Sequence, residues 1–111
     1  MTDASVFDET DPVILQKLAG DEGGIWRVIT RDSSYLVDLD CGTITRIPGP
    51  TARSGVNDRA RPLRLPMKCV VAERGYWEMD PDPDEPFVDV YYQHSSLILR
   101  IERLPAPPEV R

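Results

Sequence analysis

"IWRVITRDSSYLVDLDCGTITRI", residues 25–47, decides the fold class of this chain. In its first segment Trp26 and Val28 share one face, and Ile25 and Ile29 share the other, with arginines interspersed. "DSS" at 32–34 supplies a turn, after which Tyr35, Val37 and Leu39 alternate against Asp38 and Asp40. A repeat of two is the side-chain period of a β-strand. "DCGT" then places Gly42 where a tight hairpin needs positive φ, in the three-residue pattern of a type I turn followed by a bulge, and "TITRI" returns. The stretch predicts a three-stranded meander, with Trp26 and Tyr35 facing each other across its first hairpin.

After the meander, residues 48–66 read as one long connection rich in Pro, Gly and Arg, of the kind that is functional or mobile in a small domain. "MKCVVAE" (67–73) reads as a short central strand and "RGYW" (74–77) as a turn. "FVDVYYQH" and "SLILRIER" read as two further strands, the second with Leu97, Leu99 and Ile101 on one face. Upstream, "DPVILQKLAG" (11–20) offers Asp11 as N-cap, Pro12 in the first turn and Gly20 after the last. Ile14, Leu15 and Leu18 fall on one face at helical spacing, so a short helix that must dock to persist is predicted. The expected fold is mainly β, bordering on α+β: a small antiparallel barrel or sandwich of about six strands with one N-terminal helix plugging an open end or covering an edge. Residues 1–10 are expected to be a flexible N-terminus, 11–104 one β-rich domain, and 105–111 a proline-rich tail.

The 111 residues fit a single domain, and 41% hydrophobic with 29% charged residues is ordinary for a soluble globular chain. No run approaches the length of apolar residues that a membrane span requires, and "MTDASVFDETDP" is acidic where a secretory leader is basic. A cytoplasmic protein with no membrane association is expected, with Cys41 and Cys69 as free thiols. The net charge of −6 is segregated: residues 1–24 sum to −5, residues 25–75 to +4 and residues 76–111 to −5.

Two segments carry that segregation. "MDPDPDEP" (79–86) sets Asp80, Asp82 and Asp84 at alternate positions between prolines. An EF-hand loop has Gly at position six and Glu at twelve; counted from Asp80 those positions hold Glu85 and Tyr91. A stiff, solvated turn is therefore expected over a cation loop, with electrostatic contact to a basic partner as the functional alternative. The other segment holds Arg53, Arg59, Arg61 and Arg64, which could grip phosphates or carboxylates. Trp26, Tyr35 and Trp77 could add a stacking platform for single-stranded bases. No phosphate-cradling motif accompanies them, and the negative total disfavours nucleic acid.

Catalytic and metal readings find little support. His94 is the one histidine, beside Ser95 and Ser96, without a G-x-S-x-G motif. Cys41 lies in a hairpin turn and Cys69 among valines, and their separations from each other and from His94 match no zinc spacing. Tyr91 and Tyr92 are adjacent, so a strand must expose one of them.

"WRVITRDSSYLVDLDCGTITRIPG" (26–49), with "LILRIE" near the end, resembles a pattern in short proteins of actinobacteria and their phages that have no established activity. The resemblance implies a β-rich accessory protein and carries no functional residue with it. The sequence thus points to a non-catalytic protein that binds a protein partner, a phage-type inhibitor being one form, through Arg53, Arg59, Arg61 and Arg64 or Asp80, Asp82 and Asp84. No cofactor or metal is called for, and a monomer or a homodimer is expected. A nucleic-acid-binding or DNA-mimicking barrel is the alternative.

Overall fold

The alternation at 25–47 is a meander, and the chain goes on to close it. A computed structural model describes residues 13–105. It contains β1 (Ile14–Leu15), β2 (Ile25–Thr30), β3 (Ser33–Asp38), β4 (Thr43–Pro48), β5 (Arg61–Lys68), β6 (Arg74–Met79) and β7 (Tyr91–Leu104). Strands β2 to β7 pair antiparallel in the order β7-β2-β3-β4-β5-β6, and β6 pairs back to β7, so the sheet is a closed six-stranded barrel. β1 is added outside, Ile14 opposite Glu102 and Leu15 opposite Ile101.

Alternation fills the barrel. Trp26, Val28 and Thr30 of β2 point inward with Ser33, Tyr35 and Val37 of β3, and Ile44, Trp77, Met79, Ile98 and Ile101 complete the layer. The expected cross-strand pair is corrected by one step: Trp26 stands opposite Val37, and Val28 opposite Tyr35. Tyr35 instead meets Trp77 edge-to-face across the core, ring centres 4.8 Å apart, the arrangement aromatic quadrupoles favour. Gly42 has the positive φ expected of it, 74°. It closes a four-residue loop in which its amide donates to the Asp38 carbonyl at 2.7 Å.

The predicted helix at 11–20 is not present; Asp11 and Pro12 lie outside the described residues, which contain no helix. Ile14, Leu15 and Leu18 are indeed apolar anchors, but the edge of β7 offers backbone partners that a helix of this length cannot match. Beyond β1 the Leu18 amide donates to the Cys69 carbonyl at 2.9 Å, and Leu18 is fully buried. The covering role assigned to the segment is kept and its conformation changed. Gly20 ends it in a turn whose amide, like that of Ala19, donates to the Glu22 carboxylate. Burial pushes that carboxyl up, but the amides outweigh it and hold Glu22 below its usual value.

Other expectations change as well, among them "MKCVVAE" as a central strand: only Met67 and Lys68 belong to β5, and residues 71–73 turn. The long connection is shorter than expected, residues 49–60, because β5 starts at Arg61 and takes up its proline-rich second half. Pro62 and Pro66 fit there because β5 pairs with β4 at only two positions and shifts register against β6 between Arg64 and Lys68. "RGYW" is strand β6 and not a turn, while "FVDV" is loop. The two C-terminal strands are one, β7, 14 residues long. Register shifts against β2 and β6 move its inward set to Ser95, Ile98 and Ile101, leaving Leu97 and Leu99 exposed. No helix in the described residues is long and apolar enough to cross a membrane.

Two close fits make the barrel testable. A Cβ at Gly75 would overlap the Trp77 ring and crowd the Ser95 hydroxyl. Gly75→Ala is expected to lower stability by about 2 kcal/mol, from overpacking, with a shift in tryptophan fluorescence; a denaturant melt measures both. On the outer wall Glu102 accepts from Arg27 and from Arg100 (2.7 Å). Those bonds, Arg27 first, hold its carboxyl below the ordinary value against the opposing effect of burial. A depressed folded pKa gives stability that is present above the unfolded value and lost as pH falls through the folded one. Glu102→Gln should therefore be less stable at neutral pH by about 1 kcal/mol. Its urea midpoint should also fall less steeply than wild type below about pH 4.3.

Candidate functional site

The two charged segments singled out in the sequence meet each other. β5 carries Arg61 and Arg64 beside the 80–90 loop that joins β6 to β7. Arg59 pairs with Asp82 at 2.8 Å, Arg61 with Glu85 at 3.3 Å, and Arg64 with Asp80. Arg64 also donates to the Asp89 carbonyl at 2.8 Å. Arg53 and Asp84 stand outside this clasp: Arg53 offers its carbonyl to Arg46 at 3.0 Å, and Asp84 is exposed.

Arg61 is the centre of the clasp. It is 3% exposed, donates twice to the Val56 carbonyl (3.0 and 2.9 Å) and lies 4.0 Å over the Tyr91 ring. Burying a guanidinium is costly without such a full set of partners. Glu85 takes a hydrogen bond from the Tyr91 hydroxyl and one from the Asp82 amide at 2.9 Å. These bonds, Tyr91's first, hold its carboxyl below the usual range, and Tyr91 is raised by the same bond. Tyr91 and Tyr92 point to opposite sides, as adjacent strand residues must: Tyr91 into the clasp and Tyr92 outward.

The clasp fixes a loop whose tip is apolar. Phe87 is 98% exposed, between Pro86 and Val88 and flanked by Asp84 and Asp89. Asp82, Asp84 and Glu85 lie close enough together to share a cation, but Asp82 and Glu85 are already engaged by Arg59 and by Arg61 with Tyr91.

A second feature lies on the opposite face of β7. Tyr76 of β6 and Tyr92 and His94 of β7 form an aromatic ledge on the outer wall, with Tyr76 and His94 ring centres 4.7 Å apart and Tyr92 and His94 5.8 Å apart. At its end a cleft of about 160 Å³ opens between the ends of β3 and β4 and the junction of β6 with β7. Arg31, Arg46, Arg74, Gln93, His94 and Ser96 are in its wall. Burial acts to lower the Arg46 pKa, but the bond to Asp58 at 2.8 Å outweighs it and raises it. The Tyr35 hydroxyl beside it is pushed up, chiefly by burial.

The stacking platform expected from Trp26, Tyr35 and Trp77 is not available, since all three are buried in the barrel. The rings turned outward on the wall are Tyr92 and His94, both exposed, and Tyr76, half-buried between strands. The adjacency of Tyr91 and Tyr92 foretold one of these, and β6 as a strand would have foretold Tyr76. His94 and Cys41 sit at opposite ends of the β3–β4 hairpin, one at the cleft and one in the connecting loop. Ser95 is buried, its hydroxyl accepting from the Gly75 amide and donating to the Ser96 carbonyl. Both cysteines are free, and burial pushes the Cys69 thiol up to about 12. No protein family, curated protein or solved structure matches this chain.

The clasp has unequal members. Arg61→Ala should cost about 3 kcal/mol, because two carbonyl contacts and a carboxylate lose a buried cation. Arg59→Ala, at a site 62% exposed, should cost under about 1 kcal/mol. Urea melts rank the pair, and hydrogen exchange of residues 82–90 should rise in the Arg61 variant first.

Proposed function

We propose that this protein is a non-catalytic interaction module that presents the 80–90 loop to a protein partner. Phe87 is the anchor and the acids beside it form the rim. The observation that carries the reading is a phenylalanine almost wholly exposed at the tip of a loop fastened by three ion pairs. Exposed aromatic side chains are costly to leave in water, and aromatic anchors seated in partner pockets supply most of the energy of many interfaces. A loop held in place beforehand loses little freedom on binding. Asp84 and Asp89, which stand outside the side-chain ion pairs of the clasp, favour a partner whose apolar pocket is rimmed by Lys or Arg and speed its encounter.

This reading gives the charged segments separate duties. The arginines of β5 act within the chain by fixing the loop, and the acidic side faces the partner. An accessory protein or an inhibitor of a basic target fits such a surface.

Affinity capture from a lysate of the host, with nuclease added, tests it. A protein retained by the wild type is expected to be lost with Phe87→Ala and weakened about tenfold or more with Asp84→Arg/Asp89→Arg, from truncating an anchor and reversing rim charge. Thermal midpoints of both variants should stay near that of the wild type, since these side chains hold nothing in the barrel. Equal retention by wild type and Phe87→Ala would overturn the assignment.

A further inference from the structure

The cleft and the aromatic ledge are untouched by the loop reading, and their chemistry differs from it. The wall of the cleft brings three guanidiniums, from the β2–β3 turn (Arg31), β4 (Arg46) and β6 (Arg74), against the single carboxylate of Asp32. Asp32 answers Arg31 and Asp58 answers Arg46, so Arg74 carries the positive charge of the cleft that no carboxylate of the described residues offsets. Arg46 is held in place by Asp58 and by the Arg53 carbonyl, both through one amino nitrogen, which leaves its other donors for Tyr35 and the cleft. Arg74 is fixed by one bond from Nε to the Ser95 carbonyl at 3.0 Å and has no carboxylate partner in the described residues. Arg31 meets Asp32 through two long contacts, Nε to Oδ1 at 3.3 Å and Nη2 to Oδ2 at 3.5 Å, both exposed. The Gln93 amide gives one proton to the His94 carbonyl at 3.0 Å and the Ser96 hydroxyl accepts from the Asp32 amide at 3.0 Å, so each has one proton left to donate to an oxygen. Three arginines around one small cleft, with neighbouring donors to oxygen, suit a phosphate.

The volume limits what enters. At about 160 Å³ the cleft is well below the ~300 Å³ at which pockets hold whole drug-sized ligands. A ligand would place its phosphate inside and the rest outside, where His94 passes from the wall of the cleft into the ledge with Tyr76 and Tyr92. Rings presented outward beside a phosphate site suit a planar base. The ledge is short and runs toward Glu78, which accepts from the Tyr76 hydroxyl at 2.6 Å, and then toward Asp80 and the acidic loop. A longer polyanion laid along it would meet those carboxylates. We propose that this cleft binds the phosphate of a mononucleotide whose base rests on the Tyr76–Tyr92–His94 ledge.

Titration calorimetry on the full chain at low salt tests the proposal, with adenosine monophosphate, ribose 5-phosphate, inorganic phosphate and a single-stranded oligonucleotide as probes. Adenosine monophosphate is expected to bind about tenfold or more tightly than ribose 5-phosphate, the difference being stacking. Arg74→Gln should weaken both by about tenfold, as loss of a charged hydrogen-bond donor does. Tyr92→Ala should remove the difference between them and spare ribose 5-phosphate. Arg74 and Tyr92 are both exposed, and thermal melts should show both variants folded. No saturable binding of adenosine monophosphate into the millimolar range would overturn the site. Equal affinity for nucleotide, sugar phosphate and inorganic phosphate would overturn the base ledge. Oligonucleotide binding that is much tighter and falls steeply with salt would replace the mononucleotide with a nucleic acid strand. None of these outcomes depends on Phe87, so the two surfaces stand or fall separately.

Discussion

Backbone closure through β7 is the constraint on which the rest of this structure depends. A sheet with open sides leaves rows of unpaired amides and carbonyls, and here one strand removes them. Its C-terminal half pairs with β2 on one side, and its N-terminal half pairs with β6 on the other. Where β6 ends, β1 continues along the vacated side. The strand serves three neighbours along its length, and its register shifts opposite Ile29 and between Arg74 and Tyr76. These shifts also set which side chains enter the core, so hydrogen bonding and packing are solved by the same two irregularities.

The parts of the fold legible in the sequence are those whose evidence is local. Trp26, Val28, Tyr35 and Val37 carry their orientation in their spacing, and Gly42 its turn. The parts that were not legible were decided by distant residues. Ile14, Leu15 and Leu18 satisfy a helical pattern as well as an extended one, and only the free side of β7 chooses between them. β5 is hidden by its prolines and by Arg61, an inward-facing charge that makes sense only once Tyr91 and Glu85 lie against it. In β7 the alternation read at Leu97, Leu99 and Ile101 is defeated by the register shifts, which no single strand records.

The charged residues show the same division. That Arg59, Arg61 and Arg64 and the aspartates at 80, 82 and 84 stand out was plain from composition. That most of them answer one another was not, because their meeting requires β5 to lie beside the β6–β7 loop. Once they are paired, the surface features left over are of a different kind: an aromatic tip at Phe87, a row of rings on β6 and β7, and an arginine-lined cleft.

The neighbouring of β1 and β7 bears on how the chain is made. The first strand described pairs with the last, and β2 also waits for β7 on its outer side. During synthesis the β2–β3–β4 meander can form as soon as it emerges, since its contacts are close in sequence. The barrel cannot shut until β7 has left the ribosome, and contacts so far apart in sequence form slowly. For that interval Trp26, Val28 and Val37 have no opposite wall, and the growing chain carries an apolar face that the finished protein never shows.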